Sequence, residues 1–174
     1  MKPPNGTGRL WEVSIFFSSG IPLYPIRLIA IGRPKGGPLR DLEQHYRTLL
    51  KAYARLDVEE LAEGRGDPAR QLKDEGERLR AQLATVRCPV LLSAEGPPRT
   101  SEDFARWLGA RMDRGESLAF AIGSSHGFDP ALKAEIREHL SLSPMTFPHD
   151  LSRVLFLEQV YRAFSILKGT SYHK

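Results

Sequence analysis

Gly123-Ser124-Ser125-His126-Gly127 is the segment whose residue types most suggest chemistry. It follows an apolar run and precedes a helical stretch. It matches G-x-S-x-G, the pattern that holds a nucleophilic serine on a sharp strand-to-helix turn. Ser125 would be that nucleophile. A serine hydrolase also needs an acid and then a histidine in chain order, held at hydrogen-bond distance, and Asp150 followed by His173 supplies the order. Against this, 174 residues is short for such a hydrolase, and no glycine-rich oxyanion loop is evident. Small residues serve equally well wherever main chain must come close to a ligand.

The second segment of interest is Ser141-Leu142-Ser143-Pro144-Met145-Thr146-Phe147-Pro148-His149. Its prolines stiffen the loop and leave carbonyls without competing neighbouring N–H groups. Such a loop could hold an adenine through backbone atoms and pack it against Met145 or Phe147; the plainer reading is a connection into the last helix. His45, His126, His139, His149 and His173 lie on different segments without ligand spacing, so no metal site is expected. No P-loop and no G-x-G-x-x-G occurs.

The elements that must position these segments alternate in type. Strands are expected at Ile26–Ile31, Leu56–Leu61, Val90–Leu92, Leu118–Ile122 and, briefly, Ser143–Phe147. Helices are expected at Leu39–Ala54, where Leu39, Leu42, Tyr46, Leu49, Leu50 and Tyr53 share a face, and at Ala69–Leu83. Three more follow: one capped by Ser101 and running to Met112, one over Ala131–His139 behind Pro130, and a long apolar one capped by Asp150 and ending at Leu167. The alternation predicts an α/β fold with a mainly parallel sheet and helices on both faces. Ligands of such sheets bind beyond the carboxyl ends of the strands, here the loops after Ile31, Leu92, Ile122 and Phe147. The last helix is apolar nearly all round and needs cover on several sides, for which a subunit interface is one solution. Residues 1–25, rich in Pro and Gly, read as an extension that is partly disordered or lies upstream of the true start; residues 26–174 read as one domain.

No apolar run approaches the roughly 18–20 residues that span a bilayer, and the start does not read as a secretory signal. The lone Cys88, flanked by Pro89 and Val90, reads as a packed, inert thiol that suits a reducing cytoplasm. Net charge is +4, and the surplus sits in residues 1–55, where nine Lys and Arg face Glu12, Asp41 and Glu43. Arg33, Lys35, Arg40, Arg47, Lys51 and Arg55 therefore form either a phosphate-facing patch or an ordinary solvated surface.

From about Ile26 to Lys174 the chain resembles the ribosomal RNA large-subunit methyltransferase H family, within the SPOUT class of knotted methyltransferases. Leu28-Ile29-Ala30-Ile31-Gly32 resembles its opening strand, and Phe120-Ala121-Ile122-Gly123-Ser124-Ser125-His126-Gly127 its I-G-G-x-x-G turn. The longest match is Leu140 through His149, continuing through Arg153-Val154-Leu155 and Glu158-Gln159-Val160-Tyr161-Arg162-Ala163-Phe164 to Tyr172-His173-Lys174.

The resemblance implies a C-terminal trefoil knot, an exception to the rule against threaded chains. It further implies a homodimer, and S-adenosylmethionine-dependent methylation of a pseudouridine N3 in 23S rRNA on the assembled ribosome. Carried over by position, the cofactor would contact Leu92, Gly123, Ser124, Ser143, Pro144, Met145, Thr146, Phe147 and Pro148. Arg162, Tyr172 and His173 would serve catalysis on the substrate side. Arg33, Lys35 and Arg40 of the basic third, with Arg153 of the matching stretch, are expected to meet RNA phosphates. Two departures set the chain apart. Ser124 stands where the family has its second glycine, and Ser93 and Pro97 replace an acid and a lysine after the third strand. A serine at a position that needs positive φ or close main-chain approach would weaken the cofactor site. A non-catalytic RNA-binding homologue is the alternative these departures suggest.

Overall fold

The computed structural model describes residues 23–34 and 36–173, the last without its side chain. Residues 1–22, which carry most of the expected extension, lie outside the described residues, as does Lys35.

Five strands form one sheet in the order β2-β1-β4-β3-β5: β1 Tyr24–Ile31, β2 Ala54–Leu61, β3 Cys88–Leu92, β4 Leu118–Ile122 and β5 Glu138–Leu140. Every pairing is parallel. β4 is the central strand, with Leu118 in register with both Ile26 of β1 and Cys88 of β3. All five of its residues are buried, as the unbroken apolar run of a strand covered on both faces requires.

The helices divide between the faces by strand parity. Leu28, Ala30, Val90, Phe120 and Ile122 face α1 (Pro38–Leu50), α3 (Ser101–Asp113) and α5 (His149–Leu167). Ile29, Ile31, Leu91, Ala119 and Ala121 face α2 (Pro68–Leu83) and α4 (Pro130–Glu135). α5 packs between α1 and α3, with Phe156 against Phe120 at 4.5 Å between ring centroids. That contact contributes roughly 0.5–1.5 kcal/mol beyond area burial. Cys88 is buried, and burial pushes its thiol pKa up, in keeping with an inert packed group. Among the described residues no helix is long and apolar enough to cross a membrane.

Several boundaries differ from expectation for local reasons. β1 begins at Tyr24, so the domain reaches two residues into the expected extension. Ala54 opens β2 rather than closing α1. The cap of α3 is Thr100, whose hydroxyl accepts from the Asp103 N–H at 3.0 Å. Pro148 occupies the N-cap of α5 without a side-chain bond, and Asp150 sits in its first turn. The fifth strand is Glu138–Leu140, not Ser143–Phe147. α4 ends at Glu135 because the chain turns extended at Ile136, and His139 belongs to β5. Ser143–Phe147 is thereby released as irregular chain at a strand end, where a ligand loop belongs.

Candidate functional site

Three strand-end loops meet in a cleft of roughly 690 Å³. Leu92–Glu95 comes from the end of β3, Ile122–Phe128 from β4, and Leu142–His149, without Pro144, from beyond β5. Lys133 of α4 and Ser152 of α5 complete the lining. The size suits a nucleoside-class ligand. The lining mixes apolar surface (Leu92, Ile122, Leu142, Phe147) with the hydroxyls of Ser93, Ser125, Ser143 and Thr146.

The β4 turn is tight. Gly127, at φ 83°, donates its N–H to Ser124 O at 2.9 Å. A Cβ on Gly123 would lie 2.3 Å from Gly127 O, so only glycine closes this turn. Ser124 occupies the position where a glycine was expected, and its hydroxyl has a defined task. It accepts from the His126 N–H at 3.4 Å and donates to Glu75 Oε2 at 2.7 Å. Glu75 lies on α2 and does not line the cleft. The serine is therefore anchored beneath the turn.

The β3 loop is tied to β5. Ser93 N–H donates to Leu140 O at 3.0 Å, and Ser141 Oγ donates to Ala94 O at 3.3 Å. A Cβ on Gly96 would come within 3.0 Å of the Leu140 main chain. Glu95 pairs with Lys133 across the cleft lining, and the hydrogen bond from Lys133 lowers the Glu95 pKa. In the third loop the Met145 N–H donates to Ser143 Oγ at 3.0 Å, and Met145 is 72% exposed.

Of the residues expected to hold cofactor, Leu92, Gly123, Ser124, Ser143, Met145, Thr146, Phe147 and Pro148 all line this cleft; Pro144 is an exposed neighbour in the same loop. Arg162 and Tyr172 do not line it. Arg162 is ten positions along α5 from Ser152, the nearest lining residue on that helix, about 15 Å at the helical rise. There its Nε donates to Glu158 Oε1 at 2.9 Å, and its guanidinium lies 5.2 Å from the Tyr172 ring centroid. Tyr172 shares a 3.3 Å contact with the Tyr46 hydroxyl. Burial, with the hydrogen bond to Tyr46 next, pushes the Tyr172 pKa up. The His173 side chain lies outside the described residues.

Arg33 and Arg40 are exposed. Arg153 is not: it is fully buried, with Nη2 2.8 Å from Glu60 Oε1 and 3.1 Å from Glu43 Oε1. The expectation that it meets RNA phosphates is corrected, because its charge is spent inside the protein. Of the expected serine triad, only Ser125 and Asp150 have described side chains. Asp150 pairs with its neighbour His149 at 3.2 Å, and Ser125 is exposed. No cluster of His, Cys, Asp or Glu suited to a metal occurs among the described residues.

Sequence reasoning missed Glu75, Glu95 and Lys133. Glu75 carried a usable signal. It falls on the face of α2 marked by Leu72, Leu79 and Leu83, where a carboxylate is costly to bury unless something answers it.

Comparison with known proteins matches residues 24–173 to a family described as "Predicted SPOUT methyltransferase". Among curated relatives, ribosomal RNA large subunit methyltransferase H of Gemmatimonas aurantiaca is 38% identical, over 86% of this chain and 99% of its own. The protein of the same name from Rhizobium meliloti is 42% identical, over 86% and 98%. The fold is shared with a probable methyltransferase of Bordetella pertussis, at TM-score 0.50 and 11% identity over 80% of this chain and 94% of that one. A hypothetical protein of solved structure gives TM-score 0.52 at 15% identity, over 87% and 71%. Likeness of this extent, nearly end to end in the curated relatives, makes the chain a member of the SPOUT methyltransferases, in the ribosomal RNA large subunit methyltransferase H family.

Proposed function

We propose that the chain methylates large-subunit ribosomal RNA with S-adenosylmethionine, at N3 of a pseudouridine, on the assembled ribosome in the cytoplasm. The observation that carries this reading is the meeting of the Gly123 turn and the Ser143–Pro148 loop in one cleft. The cleft has the right volume, main chain brought close by Gly123, and hydroxyl and apolar groups for ribose and base. Leu92, Gly123, Ser124, Ser143 and Met145–Pro148 would hold the cofactor. Bound there, it supplies an electrophilic methyl on a sulfonium.

The protein's part is then largely orientation of the nucleophilic nitrogen toward that methyl. The imide must also lose a proton, which His173 or a water accepts, while Arg162 stabilises the developing anion. Arg162 and Tyr172 stand far from the cleft of their own chain, so the reading includes a homodimer in which one subunit's tail completes the partner's cleft. It includes a trefoil knot as well, supported by the close approach of the Gly96 loop to Leu140 and the pairing of Pro98 with Ser141.

The test is methylation of ribosomes from a strain lacking this protein, read by mass spectrometry of the RNA. A methyl group missing there and restored by added protein and S-adenosylmethionine is expected; RNA already fully methylated in that strain overturns the reading. Calorimetry separates a non-catalytic homologue, since micromolar cofactor binding is expected and none at millimolar ligand would support the inactive module.

A further inference from the structure

Glu75 is a buried carboxylate, 1% exposed, in the middle of α2. Three donors converge on it. Gly64 N–H lies 2.8 Å from Oε1, Gln71 Nε2 3.1 Å from Oε1, and Ser124 Oγ 2.7 Å from Oε2. In the last bond Ser124 Oγ is the donor, while it accepts from the His126 N–H at 3.4 Å. Donors alone face the group, the environment of an ionised carboxylate. Among the described residues no Lys, Arg or His forms an ion pair with Glu75. This negative charge sits directly beneath Ser124, whose other side lines the cleft. Gly64 follows β2 and Ser124 follows β4, so the carboxylate also ties two strand-end loops together.

We propose that the buried charge of Glu75, felt through space across the Ser124 turn, biases the cleft toward a cationic nucleoside, so that a sulfonium donor binds in preference to the neutral thioether left after its methyl has gone. The inference rests on the cofactor reading above and adds a mode of discrimination to it. A fixed buried charge acts over several ångströms with little screening from salt. Donor and product share their adenosine and amino-acid parts, so contacts to those parts cannot tell them apart; charge at the sulfur can. Glu75 is a positioning residue here, since it acts across the turn and does not touch the ligand.

The experiment compares affinities by calorimetry for S-adenosylmethionine, its amine analogue sinefungin (both cationic at the transfer position) and S-adenosylhomocysteine, which is neutral there. Glu75→Gln is expected to reduce the cation-over-thioether preference by about fivefold while thioether affinity stays within about twofold. A merely structural role would weaken all three ligands alike, and that outcome overturns the proposal. Ser124→Ala serves as a second variant that leaves the charge in place. Its preference should match or exceed that of the wild type, and a fall to parity between ligands overturns the proposal even if Glu75→Gln does not fold. If the wild-type protein binds none of the three, the cofactor reading falls and this one with it. Tight binding with an unmoved preference removes this one alone.

Discussion

Nη2 of Arg153 lies 3.1 Å from Oε1 of Glu43, and both side chains are shut away from water. Nε stands 3.0 Å from the other Glu43 oxygen, and Glu60 takes a further contact at 2.8 Å. α5 is thus fastened to α1 and β2 by charge as well as by apolar packing. Arg153→Leu should destabilise the fold by up to about 3–5 kcal/mol, because the buried Glu43 then keeps only the partly exposed Arg47, 3.6 Å away, as a cation. The double variant Arg153→Leu, Glu43→Leu should recover most of that loss. Urea denaturation of the three proteins checks both statements.

Gly123→Ala places a methyl group where Gly127 O already stands, 2.3 Å away. The turn must open, and the main chain it presents to the cleft moves with it. Affinity for S-adenosylmethionine should fall at least about tenfold, a change equivalent to about 1.4 kcal/mol. Calorimetry of the purified variant reads it directly.

Arg162→Ala should behave differently, because the residue lies outside the cleft of its own chain. Cofactor affinity should stay within about twofold while kcat falls by about a hundredfold, in the range for loss of one electrostatic stabiliser. Mixing Gly123→Ala subunits with Arg162→Ala subunits should restore activity if the partner's tail completes each cleft. Equally inactive mixtures, with subunit exchange verified, would count against the composite site.

Tyr172 carries a testable pH signature. Burial and the Tyr46 contact raise its folded pKa above the unfolded value. A phenol shifted upward adds stability that is complete below about pH 10, the unfolded value, and is lost as pH climbs through the folded one. Above about pH 10 the wild-type Tm should therefore fall more steeply than that of Tyr172→Phe, with parallel curves below it. The difference should be small, since Tyr172 is 38% exposed and water screens the group.

The framework of the fold was legible because its signals are local. The apolar run of β4, the periodicity of α2 and the breakers around Gly32–Pro38 each speak for one element. The Gly123 turn and the Ser143–Pro148 loop stood out by residue type and by resemblance, and the structure brings them to one cleft. What stayed hidden depends on contacts across the chain. The three-residue strand Glu138–Leu140 is too short to display a period of two, and it forms because β3 offers it an edge. Arg153 looked like surface charge until Glu43 and Glu60, more than ninety positions upstream, were seen to enclose it. Ser124 looked like damage to a glycine motif, and only Glu75 explains what it does there.

Since all five strands point one way, the segments following them open on a single rim. The exposed Arg33 and Arg40 stand on the sector beyond β1, and the cleft occupies the adjoining sector over β4, β3 and β5. A polyanion lying along the basic sector would already face the neighbouring hollow. Evolution could retune grip on that partner without disturbing the hollow, because the two sectors draw on different loops.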